Sequence, residues 1–237
     1  DFDGDEMNIH LPQSVLARSE VRNIALSDEQ YVVPKTGEPL RGLIQDHVVA
    51  AFFLTKRDSF FDRETFTEIV FTALCGVHDE ARIILPLPCI LRPRPLWSGK
   101  QVMTAILTHL TIGRAPFNFV GKCKVSTDEN NCGGYHPAGE APRTPDDFIR
   151  LWPGANDSQC IIRDCAFLTG TLDKNQIGAS KGGIVHCVFE LYGSTTAGLL
   201  LSRFSHLLTW FLMRIGHTCA LDDCMLTKEA DARRAAL

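Results

Sequence analysis

Asp1-Phe2-Asp3-Gly4-Asp5 continues directly as Glu6-Met7-Asn8-Ile9-His10-Leu11-Pro12, so the chain carries three carboxylates, each two residues from the next, around one glycine. Three ionised carboxylates in one small loop repel each other, and at least one takes up a proton unless a cation neutralises them. Gly4 permits a turn tight enough for the three side chains to converge. Carboxylate oxygens suit a hard cation such as Mg²⁺, Mn²⁺ or Ca²⁺. The spacing therefore predicts a metal site held by Asp1, Asp3 and Asp5.

Other interpretations of this acidic loop compete with a catalytic metal site. A calcium loop of the EF-hand type needs glycine at its sixth position and glutamate at its twelfth, where this chain has Glu6 and Pro12. A solvated acidic turn without a ligand is the second alternative. Against it, the return to apolar residues at Ile9 and Leu11 predicts a loop packed against a core. A non-catalytic module that binds Mg²⁺ or Ca²⁺ for structural reasons stays open.

Length and composition are those of an ordinary globular protein with one large domain or two smaller ones: 237 residues, 45% hydrophobic and 22% charged. The net charge of −4 disfavours a free-standing nucleic-acid binder, although it permits a piece of a larger assembly. We expect such a piece, because the chain starts inside a motif and its end, Glu229–Leu237, resembles an unfinished helix. Leu199–Ile215 is strongly apolar but contains Arg203 and Arg214, which predicts a buried amphipathic helix and no membrane span.

The nine cysteines are odd in number and scattered, a pattern typical of free thiols in a reducing compartment. Cys123 and Cys132 with His136 suggest zinc, but the gap between the two cysteines is not a usual ligand spacing. We therefore expect no zinc site.

Apolar periodicity predicts most of the regular structure. The predicted helices are residues 14–26, 40–52, 65–75, 98–110, 184–192 and 195–215. Strands are expected at Tyr31–Val33 and Cys160–Leu168, with a turn over residues 34–39 between the first strand and the second helix. Four prolines make residues 85–95 a stiff extended segment. A composition rich in Gly, Pro, Asn and Asp predicts an irregular insertion over about 111–159.

The acidic loop resembles the active-site signature of the largest subunit of multisubunit DNA-dependent RNA polymerases. Further segments carry the same resemblance across nearly the whole chain, except for Lys122–Gln159. They are Gly42-Leu43-Ile44-Gln45-Asp46, Leu54-Thr55 with Asp58 and Phe60-Phe61, Pro95–Gln101, Gly178–His186 and Leu221-Asp222-Asp223. Among the eukaryotic enzymes, Arg41–His47 and Asp173–His186 are most similar to RNA polymerase I, with polymerases III and II as alternatives.

The resemblance implies an α+β fold in three parts. Residues 1–33 would be the end of the active-site double-psi β-barrel domain, 34–215 a mixed pore domain carrying the insertion, and 216–237 the start of a helical funnel. It also implies DNA-dependent RNA synthesis, in which Asp1, Asp3 and Asp5 hold one Mg²⁺ and a second Mg²⁺ arrives with the nucleoside triphosphate. The isolated fragment is expected to be inactive.

The implied partners are a DNA template, the RNA product, nucleoside triphosphates, and the second-largest and other polymerase subunits. No membrane is involved. The implied location is the nucleus and, for polymerase I, the nucleolus.

Arg92, Arg94 and Lys100 form a basic cluster around Trp97. Under the resemblance the three cations line the pore through which triphosphates enter and steer these anions. The competing interpretation is a solvated basic turn, and Trp97 is a core residue in either case. The same two interpretations, a positive lining for substrates or a solvated surface, apply to Lys174 and Lys181.

Several conspicuous groups receive no catalytic role. A single histidine beside apolar residues is usually a hydrogen-bonded core group, and His10, His47 and His186 are interpreted in this way. Gly182-Gly183 is not a phosphate loop, because no Gly-Lys-Ser/Thr pattern follows it. Asp222-Asp223 is interpreted as a turn or helix cap.

Overall fold

The computed structural model of the chain describes residues 3–75, 82–124 and 157–236. Its helices are α1 Val15–Glu20, α2 Asp46–Thr55, α3 Arg63–Leu74, α4 Gly99–Leu110, α5 Lys174–Ile177, α6 Ile184–Tyr192, α7 Ser194–Ile215 and α8 Lys228–Ala236. The strands are β1 Phe60–Phe61, β2 Trp97–Ser98, β3 Phe119–Lys122, β4 Gln159–Arg163 and β5 Ala166–Thr169. This mixture confirms the α+β class.

The long helix α7 lies at the centre and packs against α2, α3, α4 and α6. Its buried face carries apolar side chains spaced three to four residues apart, which is the pattern of one helical stripe. They are Leu200, Phe204, Leu207, Leu208 and Phe211. The predicted buried amphipathic helix is therefore confirmed. No helix within the described ranges is long and apolar enough to cross a membrane.

Two small antiparallel sheets flank the helices. β1 and β2 pair, with Phe61 opposite Trp97. β3, β4 and β5 form a second sheet in that order, with an irregularity in β4 between Ile161 and Ile162. β5 lies against α4, where the Thr104 hydroxyl accepts a hydrogen bond of 3.0 Å from the Phe167 N–H.

Helix ends are set by local side chains, as the sequence indicates. Ser98 caps α4 in a capping box with Gln101, and Ser14 accepts a hydrogen bond from the Ala17 N–H at the start of α1. The predicted helices at 65–75, 98–110, 184–192 and 195–215 are confirmed within two residues. The helix at 14–26 is also present, although its second half, Val21–Ala25, is π-helical.

The predicted helix 40–52 is wrong at its start, because α2 begins only at Asp46. Gln45 has φ 47° and ψ −119°, which stops any helix from running back through it. The residues before it bond elsewhere: the Leu43 N–H donates to the Ile177 carbonyl at 2.8 Å. A Cβ on Gly42 would lie 2.1 Å from the Ala179 nitrogen, so only glycine allows the two backbones to meet.

Three strand-level predictions also need correction. Tyr31–Val33 forms only a single bridge between Val32 and Pro39, while the turn between them is confirmed. The expected strand Cys160–Leu168 is a hairpin, because Asp164 and Cys165 have positive φ and reverse the chain.

The third correction concerns the insertion expected at about 111–159, which is not irregular throughout. Residues 119–122 form β3, because their partner for pairing is β4, distant in sequence. Residues 125–156 lie outside the described ranges.

A buried hydroxyl joins α2 to the segment before α5. Thr55 is fully buried; its Oγ1 donates to the Ala51 carbonyl at 2.7 Å and accepts from the Leu172 N–H at 2.9 Å. We expect Thr55→Val to lower the free energy of unfolding by about 1–3 kcal/mol, because the buried Leu172 N–H loses its acceptor. Urea denaturation of the purified chain measures this.

Two variants test the cause. Thr55→Ser should restore most of the stability, since it keeps the hydroxyl. Thr67→Val removes a similar bond to the Arg63 carbonyl on the exposed face of α3 and should change the free energy by less than about 0.5 kcal/mol. Equal losses for Thr55→Val and Thr67→Val would contradict the assignment.

Candidate metal loop and basic cluster

The acidic loop is a tight turn around Gly4. Gly4 has φ 90°, a conformation that favours glycine, and the Asp5 N–H donates to Asp3 Oδ1 at 3.1 Å. Asp3, Asp5 and Glu6 are all exposed. Two of the predicted ligands therefore lie in one tight turn and are exposed to solvent.

The third predicted ligand, Asp1, lies outside the described residues, as does Phe2. Within residues 3–75, 82–124 and 157–236, no group of three or more His, Cys, Asp or Glu side chains is arranged to hold a metal ion. The oxygen donors of Asp3 and Asp5 fit a hard cation by chemistry. A complete ligand set for it remains a prediction.

The expectation that apolar residues place this loop against a core is wrong for the described chain. Met7, Ile9 and Leu11 are 92%, 96% and 81% exposed. The apolar face of α1 is exposed as well, including Val15 and Leu16. Among the residues that the structure describes, therefore, no buried cluster packs against the acidic turn to hold its ligands in place.

The basic cluster is divided between one partly buried cation, Lys100, and two exposed ones. Lys100 Nζ lies 2.9 Å from Asp157 Oδ1, and both side chains are about 14% exposed. Asp157 also accepts from the Gly170 N–H at 3.1 Å, and its other oxygen lies 3.6 Å from Arg57 Nε. Lys100 is thus neutralised by a carboxylate, which reduces the attraction that its positive charge could exert on an anionic substrate.

Arg92 and Arg94 are exposed on the proline-rich segment. That segment is attached to the core by the hydrogen bond from Trp97 Nε1 to the Pro86 carbonyl, 2.8 Å, and by Gln101 Nε2 to the Leu87 carbonyl, 2.6 Å. The two guanidinium groups therefore project from a backbone segment that these hydrogen bonds fix to the core. Their role at a pore stays a prediction.

Trp97 is a core residue, as predicted. It is buried and stacks on Phe66, with 5.5 Å between the ring centroids.

Arg94 also lies close to the start of α3. The pKa of Asp62, the cap of that helix, is lowered mainly by the hydrogen bond from the Thr65 N–H and to a smaller extent by Arg94 and Arg214. The positive charge of Arg94 is therefore partly offset by the nearby carboxylate of Asp62.

Two of the three histidines considered from sequence have ordinary hydrogen-bonding partners, whereas the third, His10, does not lie in the core as expected. His47 Nε2 lies 3.0 Å from Thr209 Oγ1, and His186 Nδ1 accepts from the Gly182 N–H at 3.0 Å. His10 is exposed. Asp223 accepts from the Ala220 N–H at 2.7 Å, so the second acidic pair does cap a turn.

Cys123 belongs to the core. Its thiol donates to the Thr171 carbonyl, and burial raises its pKa, which disfavours the thiolate that zinc needs. Cys132 and His136 lie outside the described residues. Lys174 and Lys181 are exposed.

Sequence reasoning missed two features of this region. Asp157, the partner of Lys100, is distant in sequence and carried no local signal. The contact between residues 42–43 and 177–179 was also missed. Its signal was present, because both segments carry glycines that leave room for close backbone approach.

Two protein families match the chain. Residues 30–224 match the family described as RNA polymerase Rpb1, domain 3, and residues 1–27 match RNA polymerase Rpb1, domain 2. The chain is 43% identical over 234 residues to the DNA-directed RNA polymerase I subunit rpa1 of Dictyostelium discoideum, covering 99% of the chain and 13% of that protein.

Further relatives show the same relation. The RNA polymerase I subunit rpa1 of Schizosaccharomyces pombe is 41% identical, covering 100% of the chain and 13% of that protein. The RNA polymerase III subunit RPC1 of Homo sapiens is 32% identical, covering 94% of the chain and 15% of that protein. The chain therefore spans 13 to 15% of the length of these relatives.

The buried pair of Lys100 and Asp157 yields a stability prediction. Asp157→Asn keeps the shape but leaves the Lys100 charge in a mostly buried position, and we expect a loss of about 2 kcal/mol in the free energy of unfolding. Asp58→Asn breaks the exposed pair with Lys56 and should cost less than about 0.5 kcal/mol. Urea denaturation measures the free energy of unfolding of both variants, and urea is chosen because it adds no ions that would screen the two pairs. Losses of similar size in the two variants would show that burial does not strengthen the Lys100 pair.

Proposed function

The chain belongs to the RNA polymerase Rpb1 family, and from this premise we propose that it is a part of the catalytic subunit of a DNA-directed RNA polymerase, where it supports nucleotidyl transfer. The observation that carries the proposal is the acidic turn. It occurs at the start of a chain that is similar along almost its whole length to polymerase largest subunits. The turn around Gly4 supports the chemistry, because Asp3 accepts a hydrogen bond from the Asp5 N–H and both residues are exposed to solvent.

We further propose RNA polymerase I, and so ribosomal RNA synthesis in the nucleolus. The higher identity to RNA polymerase I subunits than to the RNA polymerase III subunit supports this choice. RNA polymerase III or II is the alternative within the family.

In the proposed active site, Asp1, Asp3 and Asp5 would hold Mg²⁺. That ion, together with a second one that comes with the triphosphate, would make the RNA 3′-hydroxyl more nucleophilic and neutralise the pyrophosphate leaving group. The three carboxylates supply negative charge and hard oxygen donors at one point. Gly4 supplies the turn that lets them converge. Glu6 follows at once and supplies a further carboxylate outside the proposed ligand set.

The proposed domain division places residues 1–33 at the end of the double-psi β-barrel domain, 34–215 in the pore domain and 216–237 at the start of the funnel. The change of matching family between residues 27 and 30 supports the first boundary. The exposed apolar residues between Met7 and Leu16 also support it. They make no buried cluster with the helices around α7, as expected for residues that belong to another domain.

The partners that this function requires are a DNA template, the growing RNA, nucleoside triphosphates, and the second-largest and other polymerase subunits. An oxygen ligand set gains its full strength only when it is preorganised by surrounding structure. The exposed acidic turn fits a site that neighbouring parts of the enzyme complete. A non-catalytic Mg²⁺- or Ca²⁺-binding module is the candidate that the next experiment separates from catalysis.

We expect Asp1→Asn, Asp3→Asn and Asp5→Asn, each in the full-length subunit of the assembled enzyme, to reduce nucleotide addition by at least about a thousandfold. Each removes one charge from the set that neutralises and orients the metal, whose contribution is several kcal/mol. Primer extension on a synthetic template measures the rate, and co-purification of the other subunits checks assembly.

Asp58→Asn is the matched control, because Asp58 is an exposed carboxylate in a turn away from the loop. Its rate should be unchanged. A normal extension rate in any of the three loop variants would remove the catalytic assignment and favour a structural module.

The exposed arginines give a second prediction. Arg92→Glu together with Arg94→Glu should raise the apparent KM for nucleoside triphosphates several-fold at low salt, because steering by charge falls off over about 10 Å at 0.1 M salt. The rate at saturating triphosphate should stay unchanged, since neither residue is proposed to contact the transition state.

Arg92→Lys with Arg94→Lys is the control, because it preserves the charge and should preserve KM. An unchanged KM for the double glutamate variant at low salt would show that these arginines form an ordinary solvated surface.

A further inference from the structure

The segment that joins the two family matches is fixed to the corner between α6 and α7. Residues 1–27 and 30–224 match different families, so the join between them falls at Asp28 and Glu29. These two residues complete a short 3₁₀ turn, Ser27–Glu29, that packs against α7. The acidic turn precedes the join, and the core around α7 follows it. The join therefore decides how the part that carries the acidic turn is attached to the core.

Asp28 is the central group of this attachment. Its Oδ1 accepts a hydrogen bond of 2.8 Å from Arg41 Nη1. The same carboxylate lies against α7, because a Cβ on Gly198 would be 3.0 Å from Asp28 Oδ1 and 3.3 Å from Asp28 Cγ. Beside it, Ser194 Oγ donates to Glu29 Oε1 at 3.4 Å. Any side chain at position 198 would crowd the carboxylate, so glycine allows the close approach.

Arg41 links Asp28 to the buried ring of Tyr31. The guanidinium carbon of Arg41 lies 5.1 Å from the centre of that ring, within the range of a cation–π contact. Tyr31 is 1% exposed and stacks on Phe189 of α6, with 5.2 Å between the ring centroids. A hydrogen bond of 2.7 Å from the Leu40 N–H to the Tyr31 carbonyl keeps Arg41 beside the ring. The ring thus anchors the cluster to α6, while the carboxylate lies on α7.

The join is also tied back to the helix that follows the acidic turn. Gln30 Nε2 donates a hydrogen bond of 2.9 Å to the carbonyl of Ile24, in the π-helical segment Val21–Ala25. Among the described elements, α1 and this π-helical segment contact chiefly each other and the 3₁₀ turn. Within the described chain, the orientation of these two helical segments relative to α7 is therefore set mainly at the join.

The exposure of the ion pair favours a geometric role over a stabilising one. The side chains of Arg41 and Asp28 are 35% and 49% exposed, and an ion pair with this exposure contributes little to the free energy of unfolding. The contacts nevertheless act in different directions. The ring of Tyr31 anchors the join to α6, and the close approach to Gly198 anchors it to α7. Together these contacts fix an orientation that a single weak contact leaves free.

We propose that Asp28 and Arg41 are positioning residues for nucleotidyl transfer, which hold the part of the chain that bears the acidic turn in one orientation relative to α7. A metal-dependent transfer is fast only when the metal ligands and the substrate meet in one geometry, and a misplacement of about 1 Å can lower the rate by about a hundredfold. Without the pair, the join samples several orientations, and the rate falls with the fraction of time spent in the productive one. This inference rests on the proposed polymerase function.

The test uses the full-length subunit in the assembled enzyme. Arg41→Ala removes both the ion pair and the cation–π contact. We expect it to lower the rate of primer extension at saturating triphosphate by about three- to tenfold per assembled enzyme. The KM for triphosphates should stay unchanged, since neither residue is proposed to contact them. Asp28→Asn, a milder change that keeps the shape, should lower the rate in the same way, and Arg41→Lys, which keeps the charge, should restore part of it.

Arg214→Ala is the matched control. Arg214 donates to Glu68 Oε2 at 2.9 Å and lies 5.3 Å from the centre of the Trp210 ring, so it makes the same two kinds of contact as Arg41. All three residues of this control belong to the second family match, and their contacts do not cross the join. The extension rate of Arg214→Ala should therefore equal that of the unaltered enzyme.

Hydrogen exchange measured by mass spectrometry gives a second readout, which does not depend on RNA synthesis. The N–H groups of Glu29 and Gln30 donate to the carbonyls three residues earlier, at 3.0 and 3.1 Å. In Arg41→Ala, the peptide that contains these two amides should exchange at least about threefold faster, because the join opens more often. Peptides from α4 should be unchanged, and Arg214→Ala should leave the exchange at the join unchanged.

Faster exchange at the join with an unchanged extension rate would overturn the proposal, because the pair would then be structural only. Unchanged exchange in Arg41→Ala and Asp28→Asn would overturn it as well, as would an equal loss of rate in Arg214→Ala. These outcomes require an unaltered enzyme that makes RNA. An unaltered enzyme that assembles but makes no RNA would instead contradict the polymerase function, and this inference with it.

Discussion

Burial of one face of α7 is the interaction on which the other elements depend. Seven apolar side chains of this helix lie within the core, and α2, α3, α4 and α6 all pack against the helix. Each fully buried aliphatic or aromatic side chain contributes roughly 1.5–3 kcal/mol, so this helix supplies a large share of the favourable energy. The three-stranded sheet is attached around that centre by buried apolar side chains such as Phe167 and by the hydroxyl of Thr104. The proline-rich segment is attached by hydrogen bonds from Trp97 and Gln101.

The groups that are able to bind metals, substrates or partners lie at the edge of this core. The acidic turn and the arginines of the proline-rich segment are exposed, and Val120 and Leu168 of the three-stranded sheet face solvent. A rigid centre with functional groups at its periphery is the arrangement expected of a module whose sites are completed by contact with other surfaces.

Sequence reasoning was most successful where the determining interactions are local. Ser98 with Gln101 at the start of α4, and the apolar stripe of α7, lie within a few residues of the structure that they specify. It failed where a distant segment decided the outcome. Residues 40–44 have a helical pattern of apolar residues, but their backbone bonds to residue 177 and Gln45 takes a conformation outside the helix. β3 exists because β4 pairs with it, and Lys100 is neutralised by Asp157, which is 57 residues away.

The sequence by itself determined the helices with their caps, the tight turn at Gly4 and the oxygen-rich donor set that predicts a hard cation. Local propensity and the chemistry of side chains are properties of short segments, and this is why they can be derived without a fold. Only the tertiary structure decided which cations stay free and which apolar residues stay exposed. Lys100 is partly buried and paired with Asp157 while Lys122 and Arg163 face solvent, and Val120 is exposed while Phe119 is buried. Burial and ion pairing depend on which segments meet in space, and that information resides in the packing of the whole chain.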